Sequence, residues 1–305
     1  MTLSAAKQLW QSLGFPAVDD STPYFTSDDG DALDTVQALF DEGVIDLDGA
    51  IRLGRLIGTA SARIAEAGLA ALHERGPESA LEHMEIGEIV ARMESILGYA
   101  WRRQLHAALM RLKLQEDVQQ TGPLLRELGV GFADLVGFTS AAAHTSLASL
   151  ASLTREFEEV SSLAISCAGG RVIKLIGDGV MFVADRPEEL IACAEGVRTA
   201  CSTHATLPQV RSGLAWGNLL LQNGDYFGPE VNLASRITSL VPGGAVALTD
   251  ALHILSPAQE KRQHMVLRNI KGIGDAEVWI DLGGHNAAVR GAKDALAESH
   301  ESPGK

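Results

Sequence analysis

Apolar residues recur at three- and four-residue steps from Asp46 to Arg75, at Ile51, Leu53, Leu56, Ile57, Ala60, Ile64, Leu69 and Leu72. That spacing gathers them on one stripe of an α-helix, which turns once in about 3.6 residues. A second long helix is predicted from Glu85 to Leu114, through Ile89, Met93, Ile96, Leu97, Leu105, Leu109 and Leu112. Shorter helices are predicted over Leu3–Leu13 and Asp31–Glu42. The segment ERGPES between the long pair carries Gly and Pro and reads as a helix-to-helix turn. No strand signal interrupts this half.

After Gly122-Pro123 the period changes. VGFADLV and QVRSGLAWGNLLLQ read as strands, and RVIKLIGDGVMFVA reads as two strands joined at its Asp-Gly by a tight turn. His144–Ala164, Pro187–His204 and Pro229–Leu240 carry helical patterns, while AVALT and AEVWIDL are late strands. The order strand–helix–hairpin–helix–strand–helix–strand predicts an α+β sandwich, with helices on one face of a mostly antiparallel sheet. The expected organisation is a helical domain with its linker over 1–121, an α+β domain over 122–284 and a polar, disordered tail over 285–305. There are no internal repeats.

Composition narrows the partners. The 305 residues carry a formal net charge of -14, which opposes nucleic acid but leaves room for a small anion beside a few local cations. Three cysteines without metal or redox spacing, Cys167, Cys193 and Cys201, read as ordinary buried thiols in a reducing compartment. The first residues lack a basic opening and an apolar core, and no run reaches the ~20 apolar residues of a spanning helix. A cytoplasmic protein without a membrane span is expected.

The chemistry-bearing residues lie in the second half. Asp134 on its strand and Asp178 at the hairpin tip place two carboxylates near neighbouring strand ends. Such a pair suits two hard divalent cations, completed by substrate phosphates. Asn232 and Arg236, four apart on a helix, share a face and could hold a ribose and a charged phosphorus. Each feature alone has an ordinary reading. Asp beside Gly forms turns, Asp134 could cap a strand, Lys174 could be a solvated lysine, and Arg236 could stand on a helix surface.

Taken together, FADLVGFT, KLIGDGVMF, GDYFGPEVNLASR and IKGIG resemble the class III nucleotidyl cyclases, in order and spacing, over roughly Gly129 to Leu282. The resemblance implies a ferredoxin-like βαββαβ catalytic domain that converts ATP to 3′,5′-cyclic AMP and pyrophosphate. It implies that Asp134, the backbone carbonyl of Leu135 and Asp178 hold two divalent cations, Mg²⁺ or Mn²⁺. Lys174 and Asp225 would read adenine, Asn232 would orient the ribose, Arg236 would stabilise the transition state, and Lys271 would touch phosphate. It further implies a homodimer. The metal aspartates of one chain would face Lys174, Asp225, Asn232 and Arg236 of its partner.

The first half, through VQALFDEGVIDLDGAIRLGRLIG, is similar to the helical regulatory domain of a bacterial subgroup of cyclases, some of them pH-responsive. His73, His83 and His106 are its candidate proton sensors, and a small hydrophobic ligand in the helical bundle is the alternative regulator. The rival readings of the second half are a guanylate cyclase, which Lys174 and Asp225 oppose, and a catalytically silent nucleotide sensor.

Overall fold

The computed structural model describes residues 1–19, 24–74, 85–113, 124–138, 145–257 and 259–283. The chain separates into two compact units, Met1–Thr121 and Gly122–Lys305. The expected tail over 285–305, the ERGPES turn after Glu74 and His83 lie outside the described residues.

The described residues of the first unit form four helices, α1 (Leu3–Ser12), α2 (Ser27–Asp41), α3 (Leu47–Glu74) and α4 (Ile86–Lys113). α2 begins four residues ahead of the expected Asp31 because Thr26 and Asp29 form a reciprocal capping box. The end of α1 lies directly on α3. A Cβ on Gly54 would meet Ser12 Oγ at 2.2 Å, and one on Gly58 would meet the Leu13 carbonyl at 2.2 Å. Only glycine permits that approach. Trp10 anchors an aromatic group with Phe15 and Phe25, at centroid distances of 4.5 and 4.8 Å.

The second unit is built on strands β1 (Leu124–Leu135), β2 (Arg171–Ile176), β3 (Gly179–Ala184), β4 (Val210–Gln222), β5 (Asp225–Phe227), β6 (Val246–Thr249), β7 (Gln263–Ile270) and β8 (Gly274–Asp281). Its helices are α5 (Leu147–Cys167), α6 (Pro187–Thr203), α7 (Pro229–Leu240) and α8 (Asp250–Leu255). The sheet order is β2-β3-β1-β4-β6-β8-β7, with β5 hydrogen-bonded to β4 alone. The segment from β1 to β4 has the expected βαββαβ order. Among the described residues only β4 and β6 pair in parallel.

Strand alternation sends side chains to two faces. Ala133, Leu135, Phe182 and Leu214 pack with Phe157, Ile165, Leu190 and Val197 of α5 and α6. Leu128, Val130, Met181, Ala215 and Leu219 on the other face pack with Tyr226 and with Ala234 of α7. The helices are therefore not confined to one face, as the sequence pattern had suggested. α7 covers the opposite side, and its Ile237 extends the core to β6, β7 and β8. Cys193 and Cys201 are buried, and burial pushes both thiols up to about 11, whereas Cys167 is exposed, against expectation. Among the described residues no helix is long and apolar enough to cross a membrane.

Candidate active site

Asp134 is the penultimate residue of β1, paired with Gly179 of β3 and with Arg211 of β4. The β2–β3 loop is Gly177-Asp178. Gly177 takes φ +62°, so the positive φ falls on the first loop residue, not on the Gly of the Asp-Gly step. That geometry suits a glycine-first hairpin turn and lifts Asp178 to the tip. The Leu135 N–H donates to the backbone carbonyl of Asp178 at 3.1 Å, which ties the tip to the end of β1. The two carboxylates consequently share one corner of the sheet, on the face covered by α7.

Beside them lies a cavity of about 210 Å³, lined by Asp134, Gly179, Ser235, Thr238 and Ser239 among others. Burial raises the pKa of Asp178, and the negative charge of Asp134 adds to the rise, while Arg211 opposes it. Among the described residues no third histidine, cysteine, aspartate or glutamate joins the pair. Two carboxylates beside a cavity fit a cation site finished by water and substrate oxygens rather than a closed protein cage.

Arg211 did not emerge from the sequence pattern. Its Nε and Nη2 donate to Asp134 Oδ2 at 3.2 and 2.9 Å, and its Nη1 donates to the Ser239 carbonyl at 2.9 Å. Arg211 is the one charged residue of β4, and that was the available signal.

Lys174 and Asp225 are brought together on the α7-bearing face. The ammonium of Lys174 is ion-paired with Asp225 Oδ2, and Oδ1 accepts the Tyr226 N–H at 2.8 Å. Asn232 and Arg236 are exposed on α7, and neither side chain has a hydrogen-bond or ion-pair partner among the described residues. Lys271 is exposed on the turn between β7 and β8. The structure thus sets Asp134 beside Asp178 and pairs Lys174 with Asp225, and among the described residues no hydrogen bond or ion pair links Asn232, Arg236 or Lys271 to either.

No family model matches the chain. An adenylate cyclase of Glutamicibacter nicotianae is 33% identical over 314 residues, spanning 95% of this chain and 77% of that protein. A pH-sensitive adenylate cyclase of Mycobacterium tuberculosis is 36% identical over 132 residues, 43% of this chain and 32% of that protein. A solved adenylate/guanylate cyclase/hydrolase of Silicibacter pomeroyi aligns with a TM-score of 0.48 and 25% identity, over 53% of this chain and 99% of that one.

Proposed function

Because the chain belongs to the class III adenylate cyclase family, we propose that it converts ATP to 3′,5′-cyclic AMP and pyrophosphate in the cytoplasm, at sites shared between two copies of itself. The observation that carries this reading is the assembly of Asp134 with Asp178 and of Lys174 with Asp225 on one face of one sheet.

Lys174 and Asp225 are the base-reading pair. The ammonium donates to N1 of adenine and the carboxylate accepts from the exocyclic amine. Guanine presents a donor at N1 and an acceptor at O6, so the same pair meets it with mismatched groups. Asn232 orients the ribose, and Arg236 holds the charge that develops at the phosphorus, a contribution of about 3–4 kcal/mol in comparable electrostatic sites. The 3′-oxygen attacks the α-phosphorus, pyrophosphate leaves, and the proton passes to water or to a substrate phosphate. Asp134, the Leu135 carbonyl and Asp178 would hold two divalent cations, Mg²⁺ or Mn²⁺, which supply Lewis-acid activation and charge neutralisation when bound. Arg211 occupies the second oxygen's neighbourhood at Asp134 and keeps that carboxylate oriented. Lys271 remains a candidate phosphate contact.

The exposure of Asn232 and Arg236 supports a shared site, since among the described residues of their own chain neither side chain has a partner. Exposed Leu175, Ile176 and Phe227, close in sequence to Lys174 and Asp225, supply apolar surface for a partner copy. The helical unit is read as the regulator. A cavity of about 680 Å³ among Leu3, Ala6, Trp10, Val18 and Phe25 is large enough for a small hydrophobic ligand. His73 and His106 are both exposed, which gives the pH alternative less support.

The test is cyclic nucleotide production by the full chain with ATP or GTP, each with Mg²⁺ or Mn²⁺, beside Asp178→Ala. Metal-dependent cyclic AMP that vanishes in the variant is expected. Turnover of GTP in preference to ATP would assign a guanylate cyclase, and silence with both would leave a nucleotide sensor.

A further inference from the structure

Lys174 and Asp225 are 51 residues apart and stand on strands that share no hydrogen bond. β5 has three residues and pairs with β4 only, Leu220–Gln222 against Asp225–Phe227. β2 is the far edge of the sheet, beyond β3 and β1. Backbone pairing therefore does not hold Asp225 over Lys174, and the work falls to side chains.

Tyr226, next to Asp225, is 6% exposed and packs among Leu128, Val130, Met181, Val183 and Leu219, which presses the β4–β5 hairpin onto β1 and β3. Arg171 is paired in register with Val183, which packs in the same cluster as Tyr226, and the nearby Tyr226 side chain helps to hold its guanidinium charged. Arg171 is in turn locked by Asp185, with Nη2 donating to Oδ1 at 3.0 Å and Nη1 donating to Oδ2. Asp185 directly follows β3, so this bidentate pair also closes the open end of the β2–β3 hairpin.

The arrangement depends on an irregularity in β2. Arg171 pairs with Val183 and Lys174 with Met181, and those two β3 residues, two apart, share a face. Arg171 and Lys174 are three apart, a spacing that regular alternation would send to opposite faces. The bulge between Val172 and Lys174 adds one residue and returns both cations to the same side. Arg171 then stands on the side where Tyr226 packs, and Lys174 is ion-paired with Asp225, the preceding residue of β5.

We propose that Arg171, braced by Asp185, is a positioning residue for base selection: through Tyr226 it fixes the hairpin tip so that the Asp225 carboxylate stays aligned with Lys174 and with the purine edge. This rests on the adenine-reading role given above to Lys174 and Asp225. Arginine suits the task because its planar fork grips both oxygens of the Asp185 carboxylate and so holds the guanidinium in one place, which a lysine ammonium does not reproduce.

The experiment measures KM and kcat of the full chain with ATP and with GTP for Tyr226→Phe, Arg171→Lys, the double variant Arg171→Met/Asp185→Leu, and Asp225→Ala. Removing both charges together avoids leaving one buried and unpaired. Tyr226→Phe keeps the ring and its packing, so it remains informative if the double variant melts early. The double variant and Tyr226→Phe are expected to raise the KM for ATP about tenfold and to lower the ATP-over-GTP preference by a similar factor, with kcat within about threefold, as for a loss of alignment rather than of chemistry. Arg171→Lys is expected to fall between these and the parent. An unchanged preference in both, while Asp225→Ala collapses it, overturns the role of Arg171 and leaves the base-reading pair standing. A fall in kcat alone, with KM and preference intact, also overturns it and marks a merely structural pair. An Asp225→Ala enzyme that still prefers ATP removes the base-reading assignment itself, and this inference with it.

Discussion

The two units of the chain differ in how far one copy completes them. In the catalytic unit Phe157, Phe182, Leu190 and Leu214 are sealed between the sheet and its helices. In the helical unit only Leu9 and Ala50 reach full burial among the described apolar residues, while Ile64, Leu69, Ile96 and Trp101 stay exposed. A two-faced sheet with helices on each side closes its own core, and four slender helices do not. Yet the unit with the closed core leaves the side chains of Asn232 and Arg236 without partners among the described residues. Completeness of packing and completeness of chemistry are thus separate properties, and the proposed dimer is what would supply the missing part of each.

The sharpest way to break that comparison is at the chemistry. Asp134→Ala should cut cyclic AMP formation by on the order of 10³-fold or more, and Arg236→Ala by about 10²–10³-fold, as expected when one member of a catalytic set is removed. Circular dichroism should stay that of the parent, because both side chains lie outside the core. Mixed in equal amounts and allowed to exchange, the two inactive proteins should recover about a quarter of the parent rate, since half the dimers are mixed and each holds one intact site. A mixture that stays silent after proven exchange would mean that one chain carries a whole site.

The packing half of the comparison predicts a smaller effect. Phe182→Ala should destabilise the catalytic unit by about 3–5 kcal/mol through lost burial and a residual cavity. Ile64→Ala, at a position 40% exposed in one chain, should cost about 0.5 kcal/mol or less in dilute solution. Denaturant titrations at low and high protein concentration check both. A cost at Ile64 that grows with concentration would show that the α3 face is covered in an assembly. Equal costs at every concentration would abolish the distinction between the units.

Which parts were legible in the sequence follows from the same physics. Long helices with one apolar stripe announce themselves by period, so α3 and α4 lie within a residue or two of expectation. The strands between β1 and β4 were legible because apolar residues fill both their faces, although β1 begins at Leu124, ahead of the expected Val130. β5, α8 and β7 were not. β5 and α8 span three and six residues, too few to display a period, and β7 exposes Gln263, His264 and Val266 at the edge of the sheet. Spacing alone nominated Asp134, Asp178, Asn232 and Arg236, whereas the roles of Lys174 and Asp225 came through family resemblance. The bulge in β2 and the contact of Arg211 with Asp134 are tertiary facts, which no one-dimensional pattern carries.

The smallest predicted effect asks which unit carries a response to pH. His253 of α8 is buried, with its ring stacked on Trp279 at a centroid distance of 3.7 Å and 4° between planes. Burial lowers its pKa below the ordinary imidazole value, Arg262 and His264 add to the lowering, and Asp250 opposes it. Asp250 is also occupied by the Trp279 indole N–H at 2.9 Å, and His264, 4.9 Å from Trp279 on its other contact, faces Glu277 at 3.5 Å. With the folded value below the unfolded one of about 6.5, the unfolded chain binds the proton more readily. Stability held above about pH 6.5 is therefore lost as the pH falls from there through the folded value. Melting curves between pH 7 and pH 5 should show this decline, and His253→Gln should flatten it, with Trp279 fluorescence reporting the same window. His73→Gln and His106→Gln, at exposed positions of the helical unit, should leave the decline in place. If they abolish it and His253→Gln does not, the pH response belongs to the unit that closes no core, and the roles assigned to the two units exchange.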